Sequence, residues 1–327
     1  MSISVEVSIS PPTFTDILRA KQLVAHHLLR TPLINYAGLD QLIGARVLVK
    51  HENHHPVGAF KVRGGINLVA RLSTQERARG VIAASTGNHG QSIAYAARLF
   101  GVRATIVVPQ QANPLKVAAI RNLGADLLFH GNTFDEAREY CEELARTENI
   151  RYVHSGNEPL LIAGVATIAL EIVEEAPEVD TIIVPIGGGS GAAAACLAAK
   201  TLNPRVRVIG VQAERAPAAY NSWREKKLLA AEMATAAEGL ATSVAFALPQ
   251  HIIWERLDGF VLVSEEELLE AVALYVEKAH TLAEAAGAAS LAAALKLRTQ
   301  LAGQTVALVL SGGNITVEQL RAALATL

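Results

Sequence analysis

The chain is poor in cysteine, in aromatic residues and in net charge, and each shortage narrows what it can be. Its two cysteines, Cys141 and Cys196, stand far apart in helical-looking stretches without CxxC spacing. No disulfide framework is expected, and a cytoplasmic location is the expectation. Aromatic residues make up 5%, and Trp223 and Trp254 read as core or interface side chains. Against 29 basic residues stand 31 acidic ones, a net charge of -2 over 327 residues. That balance leaves no basic footprint for nucleic acid and no acidic tail. The first residues, MSISVEVSIS, lack a basic segment followed by an apolar block, so no signal peptide is expected. Heptads, internal repeats and low-complexity linkers are also missing. Thr181 to Ala199 carries no charge, yet Pro185 and the cluster Gly187–Gly191 break it into a strand, a loop and a helix, not a membrane span.

What is present is a core-forming composition: 51% hydrophobic and 18% charged residues, with enough length for two domains. Short Val/Ile-rich runs alternate with longer amphipathic or alanine-rich stretches. Arg46–Lys50, Gly80–Ala84, Ala104–Val108, Ala125–Phe129, Arg151–His154, Asp180–Pro185, Val206–Val211 and Thr305–Leu310 read as strands. Helices are expected over Gly90–Phe100, Leu115–Leu123, Phe134–Glu148, Leu161–Ala176, Ala192–Leu202, Glu265–His280 and Ala288–Ala302. This alternation predicts an α/β fold with open, twisted, largely parallel sheets covered on both faces.

Three glycine-rich junctions follow predicted strands, where open parallel sheets bind their ligands. Gly187-Gly188-Gly189-Ser190-Gly191 opens a helix. Its backbone N–H groups can turn toward an anion, and the helix adds its positive end, so this is the phosphate candidate. Gly187, Gly189 and Ala192 also approach a dinucleotide fingerprint, with Glu214 near the place of a ribose-binding acid. On its own that motif is weak. Ser85-Thr86-Gly87-Asn88-His89-Gly90 sets hydroxyls and an amide at a helix start, suited to a carboxylate or to plain N-capping. Ser311-Gly312-Gly313-Asn314 is the third junction. Lys61, flanked by Phe60 and Val62 in the segment Gly58–Gly65, becomes a nucleophile or base if it is partly desolvated.

Taken together, these segments resemble the fold-type II pyridoxal 5'-phosphate (PLP) enzymes. GAFKVRGG resembles their lysine segment, STGNHGQ their substrate-carboxylate loop, GGGSG their phosphate loop and SGGN their final cofactor contact, all in the family's order. HSGNEP (His154–Pro159) and the stretch around Glu284 fit as well, so the resemblance covers nearly the whole chain. It is nearest to the threonine and serine dehydratase and serine racemase branch, and it displaces the dinucleotide reading.

The resemblance implies a tryptophan-synthase-β-like architecture. A large domain would comprise residues 1–72 plus 156–327, and a small mobile one residues 73–155. Lys61 would carry PLP as a Schiff base and act as base at the α-carbon. Phe60 would lie beside the cofactor ring, Asn88 bond its hydroxyl, Gly187, Gly188, Gly189, Ser190 and Gly191 cradle the phosphate, and Ser311 face the pyridine nitrogen. Ser85, Thr86, Gly87 and His89 would line the substrate carboxylate. The activity implied is elimination from an L-3-hydroxy amino acid, threonine or serine first, with hydroxyaspartate, phenylserine or a hydroxyectoine-derived amino acid as alternatives. The assembly implied is a homodimer.

Departures from the branch sharpen the reading. Thr86 stands where serine racemases have a serine, and its stiffer side chain favours elimination over racemisation. Gln212 and Ala218 replace acids of a divalent-cation site, so no metal is expected there, with Glu214 a weak exception. His54 and His55 lack metal-ligand partners at fixed spacing. Gly156 in place of a common Asn implies a wider pocket. A chain ending at Leu327 leads us to expect no C-terminal regulatory domain and no branched-chain feedback. A non-catalytic PLP or amino-acid-binding regulator is the reading from another class, and the intact lysine segment opposes it.

Overall fold

The computed structural model describes residues 9–326, and the ends of the large-domain expectation, 1–8 and 327, lie outside it. Among the described residues, ten strands form two sheets. The smaller contains β3 (Val81–Ala84), β4 (Ala104–Val108), β5 (Asp126–Phe129) and β6 (Arg151–Tyr152), in the order β5-β4-β3-β6 and wholly parallel. The larger contains β1 (Leu33–Asn35), β2 (Arg46–His51), β7 (Thr181–Pro185), β8 (Arg207–Ala213), β9 (Gly259–Val263) and β10 (Thr305–Leu310), in the order β1-β2-β10-β7-β8-β9. Only β1 runs antiparallel to its neighbour. This is the α/β class with two open, mostly parallel sheets.

The inner strands are buried along their length, VIAA and ATIVV at every residue. Unbroken apolar runs serve here because helices cover both faces of a parallel sheet. One core cluster lies on each face of the larger sheet, centred on Ile182, Val184 and Val208 and on Val47, Ile183 and Leu308. The strands missing from the sequence reading, β1 and β9, both lie at sheet edges. β1 has three residues, and four of the five residues of β9 are only half-buried. Pairing makes them strands, not patterning.

Three helices depart from expectation. Leu161–Ala176 divides into Pro159–Val165 and Thr167–Glu175 at Ala166. The Thr167 hydroxyl donates to the Gly164 carbonyl at 2.7 Å, competing with the helix ladder at that joint. The last alanine-rich helix runs Ala285–Lys296, followed by a short turn of helix, Arg298–Leu301. The lysine segment, read as glycine-bounded, is the start of a helix, Lys61–Ala70. Its glycines allow close packing: a Cβ on Gly64 would lie 2.9 Å from the Leu161 carbonyl oxygen, and one on Gly65 2.4 Å from Ser92 Oγ. The uncharged stretch from Thr181 divides into β7 and the helix Ser190–Leu202. Among the described residues no helix is long and apolar enough to cross a membrane.

Candidate active site

All three glycine junctions fall at the C-terminal ends of strands, after β3 in the smaller sheet and after β7 and β10 in the larger. The helix carrying Lys61 joins them. Its lead-in segment is zipped to the third junction: Phe60 N–H donates to the Ser311 carbonyl at 3.0 Å, Ala59 bridges Gly312, and Gly313 N–H donates to the Gly58 carbonyl at 2.9 Å. Gly58 adopts φ +66°, a left-handed conformation open to glycine at little cost.

The Lys61 amine donates to the Ser155 carbonyl at 3.0 Å and to Ser190 Oγ at 3.1 Å. Burial lowers its pKa to about 8. Two imidazoles share its surroundings and stay neutral. His89 is brought down to about 3 and His154 to about 4, by burial first and then by the Lys61 charge. His89 Nε2 donates to the Val153 carbonyl at 3.0 Å, so its ring is turned to the protein and His89 offers the cleft its backbone. His154 Nδ1 accepts from the N–H groups of Gly156 (3.0 Å) and Asn157 (2.9 Å), fixing the turn that presents the Ser155 carbonyl to Lys61.

The second junction is a cradle with no room for side chains. A Cβ on Gly187 would lie 2.3 Å from the Gly239 carbonyl oxygen, and one on Gly188 2.1 Å from the Phe246 ring. Gly189 caps the helix Ser190–Leu202 at φ +89°. Backbone N–H groups and a helix N-terminus remain to face an anion. Phe60, Gly191 and Ser311 line one cavity with Val184, Pro185 and Val309.

Ser85, Thr86 and Gly87 lead into the helix Asn88–Leu99, whose first-turn N–H groups have no partner within the helix. Ser85 Oγ accepts from Gly87 N–H at 3.2 Å. Asn88 is held on both sides: its amide donates to Glu284 Oε1 and its carbonyl accepts from Asn314 Nδ2, each at 2.7 Å. Asn314 also donates to the Val57 carbonyl at 2.9 Å. Glu284 is pushed up by burial, partly countered by Asn88.

The sequence reading missed Glu284, Phe246 and the Ser155 carbonyl as parts of this site. It quoted the stretches holding Glu284 and Ser155, but nothing local marks which atoms face Lys61 or Asn88. One expectation is overturned. The space at Gly156 is not a wider pocket, because Phe246 fills it: a Cβ there would lie 2.4 Å from the ring. At the expected cation position, Gln212 Oε1 accepts from Tyr220 N–H at 3.0 Å and Glu214 pairs with Lys296 at 3.5 Å. Among the described residues no cluster of three or more His, Cys, Asp or Glu is placed to hold a metal ion.

A lysine at the mouth of a glycine cradle, between two mostly parallel sheets, defines a class. A family model described as pyridoxal-phosphate dependent enzyme matches residues 24–312, and the chain belongs to that family. It is 40% identical over 309 residues to the L-threonine ammonia-lyase of Thermotoga maritima, covering 94% of this chain and 77% of that one. In structure it is similar to maize serine racemase, with a TM-score of 0.91, 27% identity and coverage of 97% and 98%. It is equally similar to the processed threonine deaminase isoform 2 of Solanum lycopersicum, with a TM-score of 0.91, 27% identity and coverage of 100% and 99%. The cofactor is PLP, and the residues fit it: an amine of lowered pKa stands 3.1 Å from Ser190 Oγ of a cradle whose backbone at Gly187 and Gly188 admits no side chain, because a Cβ would collide with Gly239 or Phe246.

Proposed function

We propose that the protein is a PLP-dependent ammonia-lyase that converts L-threonine or L-serine to a 2-keto acid and ammonia. The observation that carries this reading is the Lys61 amine, near pKa 8 and held between the Ser155 carbonyl and Ser190 Oγ at the phosphate cradle. The 40% identity to an L-threonine ammonia-lyase supports it.

When bound, PLP supplies the electron sink that makes the α-hydrogen of an amino acid acidic. Lys61 anchors the cofactor and then, as the free amine, takes the α-proton. Ser155 and Ser190 orient that amine, and the low pKa keeps a usable fraction unprotonated near neutrality. Gly187, Gly188, Gly189, Ser190 and Gly191 would hold the phosphate, Phe60 would lie beside the ring, Ser311 would face its nitrogen, and Asn88 its hydroxyl. Ser85, Thr86, Gly87 and the backbone of His89 bind the substrate carboxylate at the helix start. Loss of the 3-hydroxyl removes water, and hydrolysis of the unsaturated product returns it, so the net products are a 2-keto acid and ammonia.

Residues 73–155, which hold the smaller sheet, serve as a unit that closes on the substrate and excludes water. The active form is a homodimer in the cytoplasm. Racemisation is the second reading, favoured by the structural similarity to maize serine racemase. Thr86 opposes it, since its methyl group crowds the face from which a proton would return.

The test is keto-acid and ammonia release from a panel of L-3-hydroxy amino acids with added PLP, for the wild type and Lys61→Ala. Release from threonine or serine, lost in the variant, supports the reading. No release from either, with the PLP absorption band present, overturns it. D-isomer formation faster than keto-acid release would favour the racemase.

A further inference from the structure

We propose that Phe246 is the residue that limits this enzyme to small, uncharged 3-hydroxy amino acids. The inference rests on the ammonia-lyase reading and names the substrate class of that site.

The position of the ring is defined on three sides. A Cβ on Gly188 would lie 2.1 Å from Phe246 Cε2, and one on Gly156 2.4 Å from Phe246 Cδ2. The His154 ring meets it edge-to-face, with centroids 4.7 Å apart. Phe246 therefore touches the phosphate cradle at Gly188 and, at His154 and Gly156, both neighbours of Ser155, whose carbonyl receives the Lys61 amine at 3.0 Å. The wall is rigid. Phe246 is the N-cap of the helix Ala247–Arg256, and Leu248 N–H donates to Asn157 Oδ1 at 3.0 Å. His154 Nδ1 holds the turn beneath it. Pro249 abuts Gly189 from the next turn.

The chemistry puts the substrate side chain in the same corner. Lys61 must reach the α-hydrogen, and the departing 3-hydroxyl needs a proton, which a phosphate held at Gly187–Gly191 would supply, so we place it on the cradle side. The remaining substituent on the β-carbon then points between Ser155–Gly156 and Gly188, where the aromatic ring stands. A hydrogen or a methyl fits against it, and a phenyl group collides with it. A carboxylate would lose its hydration against an apolar ring. Lys116, a basic side chain near the cleft, already pairs with Glu238. Two glycines facing one large ring explain why Gly156 leaves no vacancy: the volume has moved from residue 156 to residue 246.

The experiment compares L-serine, L-threonine, L-threo-3-phenylserine and L-threo-3-hydroxyaspartate on the holoenzyme, as kcat/KM and as apparent Kd from the shift of the cofactor absorption band. In the wild type, phenylserine and hydroxyaspartate should each fall at least about 100-fold below threonine. In Phe246→Leu the phenylserine-to-threonine ratio should rise about 10-fold, and in Phe246→Ala about 100-fold. A wild type that takes phenylserine within about 10-fold of threonine overturns the inference without any variant. So does an unmoved ratio in Phe246→Leu, by turnover or by binding. Absence of release from both threonine and serine in the wild type overturns the ammonia-lyase reading as well, which separates the two failures.

Discussion

The Asn88 amide donates to Glu284 Oε1 at 2.7 Å across 196 residues of chain. Asn314 completes the chain by donating to Asn88 Oδ1 at 2.7 Å. The loop after β3 is thereby tied to two segments of the larger sheet's layer. Asn88→Ala leaves the half-buried Glu284 carboxyl without its donor and the Asn314 amide with the Val57 carbonyl alone. A loss of about 1–3 kcal/mol is expected in urea unfolding, with weaker PLP retention. Glu284→Gln keeps an acceptor oxygen and should cost clearly less. Equal losses in the two variants would show that this hydrogen bond is not what holds the loop.

Arg63 sits two residues past Lys61, 1% exposed. It bonds Glu52 at 2.7 and 2.8 Å and Glu171 at 2.6 and 2.9 Å, and Lys50 adds a third bond to Glu171 at 2.6 Å. Removing one partner of a buried set strands the others. Arg63→Ala is expected to cost about 3–5 kcal/mol, read as a fall in Tm, and to displace the lysine helix. Arg63→Lys should rescue it only in part, because an ammonium cannot bond both carboxylates in a planar fork.

Gly188 and Gly189 fail for different reasons. Gly188→Ala drives a methyl to 2.1 Å from the Phe246 ring. Gly189→Ala places a side chain at φ +89°, a strain of about 1–3 kcal/mol. Both should weaken PLP binding in a spectrophotometric titration. Pairing Gly188→Ala with Phe246→Leu should recover part of the loss, whereas pairing Gly189→Ala with it should not.

Burial holds His51 near 4, His89 near 3 and His154 near 4. Each folded-state value lies below that of the unfolded chain, so the unfolded state binds more protons as pH falls below about 6.5. The contribution of these rings is complete above that pH and declines below it, until the native imidazoles themselves charge near 4 and 3. Each contributes a slope approaching about 1.4 kcal/mol per pH unit in that window. Urea unfolding of the PLP-free protein between about pH 7.5 and 5.5 measures it, and a flat profile would contradict the burial of these rings as neutral groups. His89→Asn should remove about one proton's worth of slope.

Much of the fold was legible in the chain because its signals are local. Val/Ile runs such as Ala104–Val108 form strands that are buried along their whole length. The glycines at 187–189 mark a turn that no side chain can enter. Lys61 between Phe60 and Val62 was readable locally only as a conditional nucleophile, and it was the order of the four motifs that singled it out. These depend on neighbours within a few residues, so composition and order suffice to expose them.

The tertiary structure decided what depends on packing between distant segments. Strands β1 and β9 exist because an edge was there to pair with. Gly64 and Gly65 lie inside a helix because Leu161 and Ser92 press against it, although glycine alone argues for a break. Glu284 reached Asn88, and Phe246 filled the space at Gly156, through the docking of separate segments. From its sequence the chain could be read as bearing a lysine, a phosphate cradle and parallel sheets. Which carboxyl holds the asparagine, and which ring closes the substrate corner, follow from steric fit and hydrogen-bond satisfaction between parts of the chain that carry no mark of each other.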